Sequence, residues 1–155
     1  MAFCRGVNSL KIYISGALKG SKDIVRARAK YEQIAAAIRL KGLNPYLPHQ
    51  TTDPMFNASA SPEFVYAKDC QAINESDAAV LVLDEPSLGV GLEIGMFVQS
   101  RIPLLVLCEK EQELSRFAAG FLTANNIKIV RYTEDIAEVV GGWIVNDLLC
   151  SQVLP

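Results

Sequence analysis

Two carboxylates in this sequence stand where a negative charge has to be compensated or used. Glu93 lies in Leu92-Glu93-Ile94-Gly95-Met96-Phe97-Val98, apolar on both sides, directly after Gly89-Val90-Gly91. That spacing predicts a glutamate one or two residues inside a helix. Free backbone N–H groups and the helix dipole would favour its ionised form there, keeping it charged near neutral pH. Gly89 and Gly91 would let a ligand approach the backbone closely. The plain alternative is a first-turn glutamate that only supports its helix. Asp69 is spaced three or four residues from Val65, Tyr66, Ala72 and Ile73, which puts it on the apolar stripe of a helix. A charge on such a stripe is costly unless it is paired or employed, although an aspartate at the stripe's edge could simply bond a neighbouring loop. Two carboxylates flanking a sugar are the equipment of glycosidic cleavage. One attacks or stabilises the anomeric carbon, and the other protonates the leaving group. Tyr13, expected at the end of the first strand, could orient the attacking carboxylate, or it could be an ordinary core residue.

A second group of residues suits an anion. Ser-Gly-Ala-Leu-Lys-Gly-Ser, residues 15–21, places Gly16, Lys19, Gly20 and two serines ahead of a helix, where backbone N–H groups and an ammonium can hold a phosphate. It matches neither a Walker motif nor a GxGxxG fingerprint, and an ordinary strand-to-helix turn is the bland reading. Ser87, in Pro86-Ser87-Leu88-Gly89-Val90-Gly91, could add a hydroxyl from another loop. His49 and Cys70 receive no role; a loop histidine after Pro48 is more often structural than catalytic.

Composition removes several function classes. The chain has 155 residues, the length of one domain, half of them hydrophobic, with a net charge of -2. A charge balance of that kind argues against binding polymeric nucleic acid. No apolar run reaches the roughly 20 residues that span a bilayer. Lys11 and Lys19 interrupt any secretory signal, so the expected compartment is the cytoplasm. Cys4, Cys70, Cys108 and Cys150 are widely separated, and His49 is the single histidine. This pattern predicts reduced thiols and neither a metal site nor another cofactor.

The elements that must position these residues alternate. Strands are predicted at 10–15, 43–47, 78–83, 104–108 and 128–132, and helices at 22–41, 62–75, 91–100, 114–125 and 134–150. The runs AAVLVL and LLVLC are continuously apolar, as in parallel strands covered on both faces. Gly42 is expected to close the first helix, Ser61-Pro62-Glu63 to open the second, and Thr133 to cap the last. Five strand–helix units imply a single α/β domain over 1–155: a flavodoxin/Rossmann-like parallel sheet of order 2-1-3-4-5 with helices on both faces. A ligand would then lie where the order reverses, between strands 1 and 3, at the meeting of the loops 15–21 and 84–91.

The segments KIYISGALKG, KDCQAINESDAAVLVLDEPSLGVGLEIG and ELSRFAAG resemble the 2′-deoxynucleoside 5′-monophosphate N-hydrolases, within the wider nucleoside 2-deoxyribosyltransferase superfamily. The resemblance runs from Lys11 to about Tyr132. It implies that Glu93 is a nucleophile forming a glycosyl-enzyme intermediate at C1′, that Asp69 handles the proton of the departing base, and that Tyr13 contacts Glu93. It further implies a 5′-phosphate held by the loop containing Gly16, Lys19 and Gly20, by Ser87, and by Ser115 reaching across a homodimer interface. Lys19 stands where the family often has arginine, and Ala17 where it often has serine. The segment 48–62 follows no family pattern and is expected to shape the base and sugar pocket. Three other readings stay open: a deoxyribosyltransferase, a hydrolase of ribonucleotides, and a nucleotide sensor without turnover. Against transfer, residues 87–90 contain no acid; against sensing, a sensor needs neither Glu93 nor Asp69.

Overall fold

The computed structural model describes residues 10–18, 21–52, 58–133 and 135–150. Its centre is a five-stranded sheet in the order β2-β1-β3-β4-β5, with every pairing parallel. The strands are β1 (Lys11–Gly16), β2 (Asn44–Tyr46), β3 (Ala78–Val82), β4 (Leu104–Glu109) and β5 (Ile129–Tyr132). The helices are α1 (Ile24–Leu40), α2 (Pro62–Asn74), α3 (Leu88–Gln99), α4 (Arg116–Ala124) and α5 (Ile136–Trp143), the last continuing into a π-helical turn at Ile144–Leu148. Every residue of β3 is buried, which is why its sequence shows no alternation. The two faces of the sheet hold separate cores. Ile12, Ile14, Val80 and Leu107 pack against α1 and α5, while Tyr13, Leu81 and Val106 pack against α2, α3 and α4.

Helix boundaries follow capping chemistry. Gly42 has φ 75°, and the amides of Gly42 and Leu43 close onto the carbonyls of Arg39 and Ile38, ending α1 as expected. Ser61 caps α2, with Pro62 in the first turn. The sequence expectation differs at two other starts. α5 is capped by Asp135, whose carboxylate accepts from the amide of Glu138 at 2.9 Å, and Thr133 lies before it. α3 begins at Leu88 with Ser87 as its cap, so Gly89, Val90 and Gly91 lie inside the helix instead of leading into it.

One carboxylate ties the carboxyl ends of several elements together. Asp84, just past β3, accepts from the backbone N–H of Glu109 at 2.8 Å, from the ammonium of Lys30 and from the hydroxyl of Tyr132. Lys30 also pairs with Glu109 at 2.7 Å. The ends of β3, β4 and β5 and the flank of α1 therefore meet at a single junction.

Gly16 shows how closely α1 packs on the end of β1. A Cβ at this position would lie 2.2 Å from the hydroxyl oxygen of Tyr31. Tyr31 is buried and donates to the carbonyl of Ala17 at 2.8 Å, so it has a fixed place. Gly16→Ala is expected to cost about 1–3 kcal/mol through overpacking. In a Tyr31→Leu background the same change should cost clearly less. Denaturant titrations of the four proteins of this double-mutant cycle check the coupling.

Candidate active site

A cavity of about 640 Å³ opens beyond the carboxyl ends of β1 and β3, at the reversal of strand order. Its walls come from Ser15, Gly16 and Leu18 at the end of β1, from Ser87, Gly89, Val90 and Glu93 around the start of α3, and from Val65, Tyr66 and Asp69 on α2. Pro48, His49, Thr52, Ala58, Ala60 and Pro62 contribute a further wall from the segment after β2, which is the stretch expected to shape the pocket. Residues 53–57 of that segment lie outside the described residues.

Glu93 is the most constrained group in the cavity. Its Oε1 accepts from the hydroxyl of Tyr13 at 2.8 Å, and its Oε2 accepts from the hydroxyl of Ser15. Tyr13 and Ser15 are two residues apart on one strand, so both side chains leave the same face of β1 and reach the same carboxylate. Tyr13 is fully buried and packs edge-on against Phe97, with ring centroids 5.3 Å apart. It does not line the cavity; it stands behind Glu93 as a positioning residue, in mid-strand and not at the strand's end. Ser15 does line the cavity. Its role was missed in the sequence, where it reads as a member of the glycine loop. The available signal was its two-residue spacing from Tyr13.

The expected electrostatics of Glu93 need correction. With α3 starting at Leu88, Glu93 lies in the second turn, past the helix's free N–H groups. Burial raises its pKa above the usual carboxylate range, the hydroxyls of Ser15 and Tyr13 oppose that rise, and the charge of Asp69 adds to it. Two hydroxyl donors thus do the stabilising that the helix terminus was expected to do. The phenol of Tyr13 is itself pushed well above its ordinary value, first by burial and then by the charge of Glu93, so it remains a donor.

Asp69 faces the same cavity from α2. It is half-buried, while its neighbours Val65 and Tyr66 are partly and largely exposed; only Ala72 and Ile73 of that stripe are in the core. The hydroxyl of Thr52 donates to its Oδ1 at 3.4 Å, a long contact. Burial raises the pKa of Asp69, and Thr52 lowers it. The pair is therefore asymmetric: Glu93 has two hydroxyl donors favouring its ionised form, whereas Asp69 has one distant donor. Glu93 sits in the drier place, and its two hydroxyl donors offset part of the rise that burial causes.

The residues expected to hold an anion are divided. Gly16, Ser87 and Gly89 line the cavity. Lys19 and Gly20 lie outside the described residues. Gly91 and Ser115 do not reach this cavity within one chain. They line a neighbouring apolar groove of about 620 Å³ between α3 and α4, together with Leu88, Leu92 and Phe117, and Ser87 lies on the border of both spaces. Ser87 and Ser115 each cap a helix, accepting from Val90 at 3.4 Å and from Ala118 at 3.1 Å. Capping employs an acceptor lone pair of the hydroxyl and leaves its O–H free to donate to an anion. His49 lines the cavity with its Nε2 3.0 Å from Glu32.

A raised carboxylate pKa is also a statement about stability. The folded chain favours the protonated forms of Glu93 and Asp69 more than the unfolded chain does. No penalty exists below the unfolded carboxylate pKa, near 4, and the penalty grows as pH rises above it. Glu93→Gln and Asp69→Asn are therefore expected to raise Tm at pH 7–8, with the gain fading toward about pH 4. Thermal melts across that range check the sign.

A family model described as nucleoside 2-deoxyribosyltransferase matches residues 12–149. A protein of Thermofilum pendens named as a candidate 2′-deoxynucleoside 5′-phosphate N-hydrolase is 26% identical over 134 residues, spanning 84% of this chain and 90% of its own. The 5-hydroxymethyl-dUMP N-hydrolase of Mus musculus is 25% identical over 134 residues, spanning 83% and 76%. Among solved structures, a conserved protein of Enterococcus faecalis superposes with a TM-score of 0.63 at 23% identity, over 85% of this chain and 97% of that one. The CMP N-glycosidase of Clostridium botulinum does so with a TM-score of 0.62 at 19% identity, over 83% and 93%. These two likenesses share the fold described above, and the match over 12–149 spans all of the sheet but Lys11 and every lining residue of the cavity: the chain belongs to the nucleoside 2-deoxyribosyltransferase family.

Proposed function

We propose that this protein hydrolyses the N-glycosidic bond of nucleoside 5′-monophosphates, deoxynucleotides foremost, releasing the free base and the sugar 5-phosphate. The observation that carries this reading is Glu93, gripped at both oxygens by Tyr13 and Ser15 in a cavity shared with Asp69. The ionised Glu93 attacks C1′. The C1′–N bond breaks, its electron pair leaves with the base, and Asp69 delivers a proton to that base. Asp69, now a carboxylate, takes a proton from water as the water oxygen attacks C1′ of the glycosyl ester. Glu93 leaves as a carboxylate, and the balance is nucleotide plus water to base plus sugar phosphate. The names of the curated relatives support hydrolysis of 5′-phosphates, and the glycine loop at the crevice supports an anionic end of the substrate.

Transfer to a second base, the activity in the family's description, would use the same intermediate. Hydrolysis is preferred because residues 87–90, which border the cavity at Ser87, Gly89 and Val90, bring no carboxylate to bind a sugar hydroxyl and would not repel a phosphate. The discriminating experiment is incubation with a panel of nucleotides and nucleosides, with and without an added second base, followed by chromatography. Release of base from monophosphates without formation of a new nucleotide is the expected result; a new nucleotide would establish the transferase.

Two expectations follow for variants. Glu93→Ala should lose base release by several orders of magnitude while remaining folded, as expected for loss of a covalent nucleophile. Asp69→Asn should be slowed severely for natural substrates and least for substrates whose leaving group needs no proton. Equal losses for activated and natural substrates would make Asp69 a positioning residue.

Ser115 bears on assembly. It sits at the edge of the α3–α4 groove, where Leu88 is 85% and Phe117 86% exposed. Large apolar side chains so exposed mark an interaction surface. A second copy covering this groove would bring its own Ser115 toward Ser87 of the first, completing the phosphate site. An inactive Glu93→Ala chain mixed with a Ser115→Ala chain is then expected to recover activity, because one site of the mixed dimer keeps both its nucleophile and a partner serine. No recovery, in a mixture shown by sedimentation to contain dimers, would remove Ser115 from the site.

A further inference from the structure

The cavity has two kinds of wall. Around Glu93 it is polar, with Ser15 near the end of β1 and Ser87 at the start of α3. Along α2 it is apolar and aromatic. Val65 and Tyr66 stand one turn before Asp69, at spacings of four and three residues, so the three side chains form one continuous patch on the helix surface. Tyr66 is 68% exposed although it lines this wall. Its ring is therefore presented to the open space and not packed beneath a neighbour. The hydroxyl hydrogen-bonds the side chain of Cys70, one turn further along the same helix. That bond engages the polar end of the residue and leaves the ring to a ligand. Tyr66 belongs to neither core and has no part in the reaction above.

We propose that Tyr66 is the platform on which the nucleobase of the substrate stacks. The inference rests on the reaction read for Glu93 and Asp69 and adds to it the group that holds the leaving base. With C1′ at Glu93, the departing base has to lie within reach of Asp69. It then extends from C1′ along α2, and the aromatic side chain one turn from Asp69 on that helix meets it. The wall formed by Ser87 and Gly89 is left to the other end of the nucleotide. A flat base and a phenol ring attract each other by apolar contact and offset stacking. Every base has such a face, so the platform accepts purines and pyrimidines alike. The rival is an idle surface tyrosine, whose removal would be silent.

Tyr66→Ala and Tyr66→Phe in the full chain separate the two. For Tyr66→Ala, KM for a deoxynucleoside 5′-monophosphate and the inhibition constant of the corresponding nucleoside should each rise about tenfold, the scale of one base–aromatic stack. Turnover at saturation and the inhibition constant of deoxyribose 5-phosphate, which has no base, should stay unchanged. Tyr66→Phe should remain close to the natural chain, because the ring supplies the contact. Thermal melts of both variants should match the natural chain, as expected for an exposed side chain. An unchanged KM in Tyr66→Ala, or an equal loss for deoxyribose 5-phosphate, overturns the inference while the hydrolase reading survives. Binding titrations with the nucleoside and with deoxyribose 5-phosphate read the platform without turnover. A natural chain that releases no base, yet binds the nucleoside through Tyr66, overturns the hydrolase reading and keeps the platform.

Discussion

A carboxylate removed from water needs hydrogen-bond donors placed before it arrives, and the two oxygens of Glu93 impose that requirement on everything around them. The donors come from β1, at positions two residues apart, so the strand has to present Tyr13 and Ser15 on one face without a bulge. That face has to lie beneath α3, which means β1 must neighbour β3, the strand that feeds α3. The strand order 2-1-3 is therefore what gives a buried glutamate its hydroxyls. The same reversal of order leaves an open crevice in front of it. The geometry around Glu93 and the sheet topology are one constraint seen from two sides.

The neighbouring Asp69 makes sense against this background. Two carboxylates in one cavity cannot both ionise cheaply, and their surroundings decide which one keeps the proton. Glu93 is offered two hydroxyls in a dry place; Asp69 is offered a distant threonine at the cavity wall. The contrast between the two carboxylates thus follows from which element carries each residue. A strand buried on both faces supplies fixed donors, and a half-exposed helix supplies an accessible acid.

The sheet was legible because its information is local. Continuous apolar runs at β3 and β4 announce strands covered on both sides, and Gly42 and Ser61-Pro62 mark helix ends through their own backbone preferences. The start of α3 was misread for the same reason. Gly89 and Gly91 are poor helix formers and look like loop, but Ser87 caps the helix ahead of them, and tertiary packing overrides their propensity. Thr133 and Asp135 are both capping residue types, and only the endpoint of β5 decides between them. Ser15 was hidden because its partner lies 78 residues away in sequence, and no local pattern records such a meeting. The two candidate carboxylates could be named from the sequence, whereas the groups that tune them become visible only once the chain is folded.

The Asp84 junction carries a message about how the chain becomes a protein. Its partners come from α1, from the backbone of β4 and from the last residue of β5. A nascent chain that has laid down β1 to β3 still holds this largely buried carboxylate without its full complement of donors. The junction closes only when Tyr132 has joined the sheet. Native order at these strand ends thus depends on residues from both halves of the chain, and it is complete only when the outermost strand has docked.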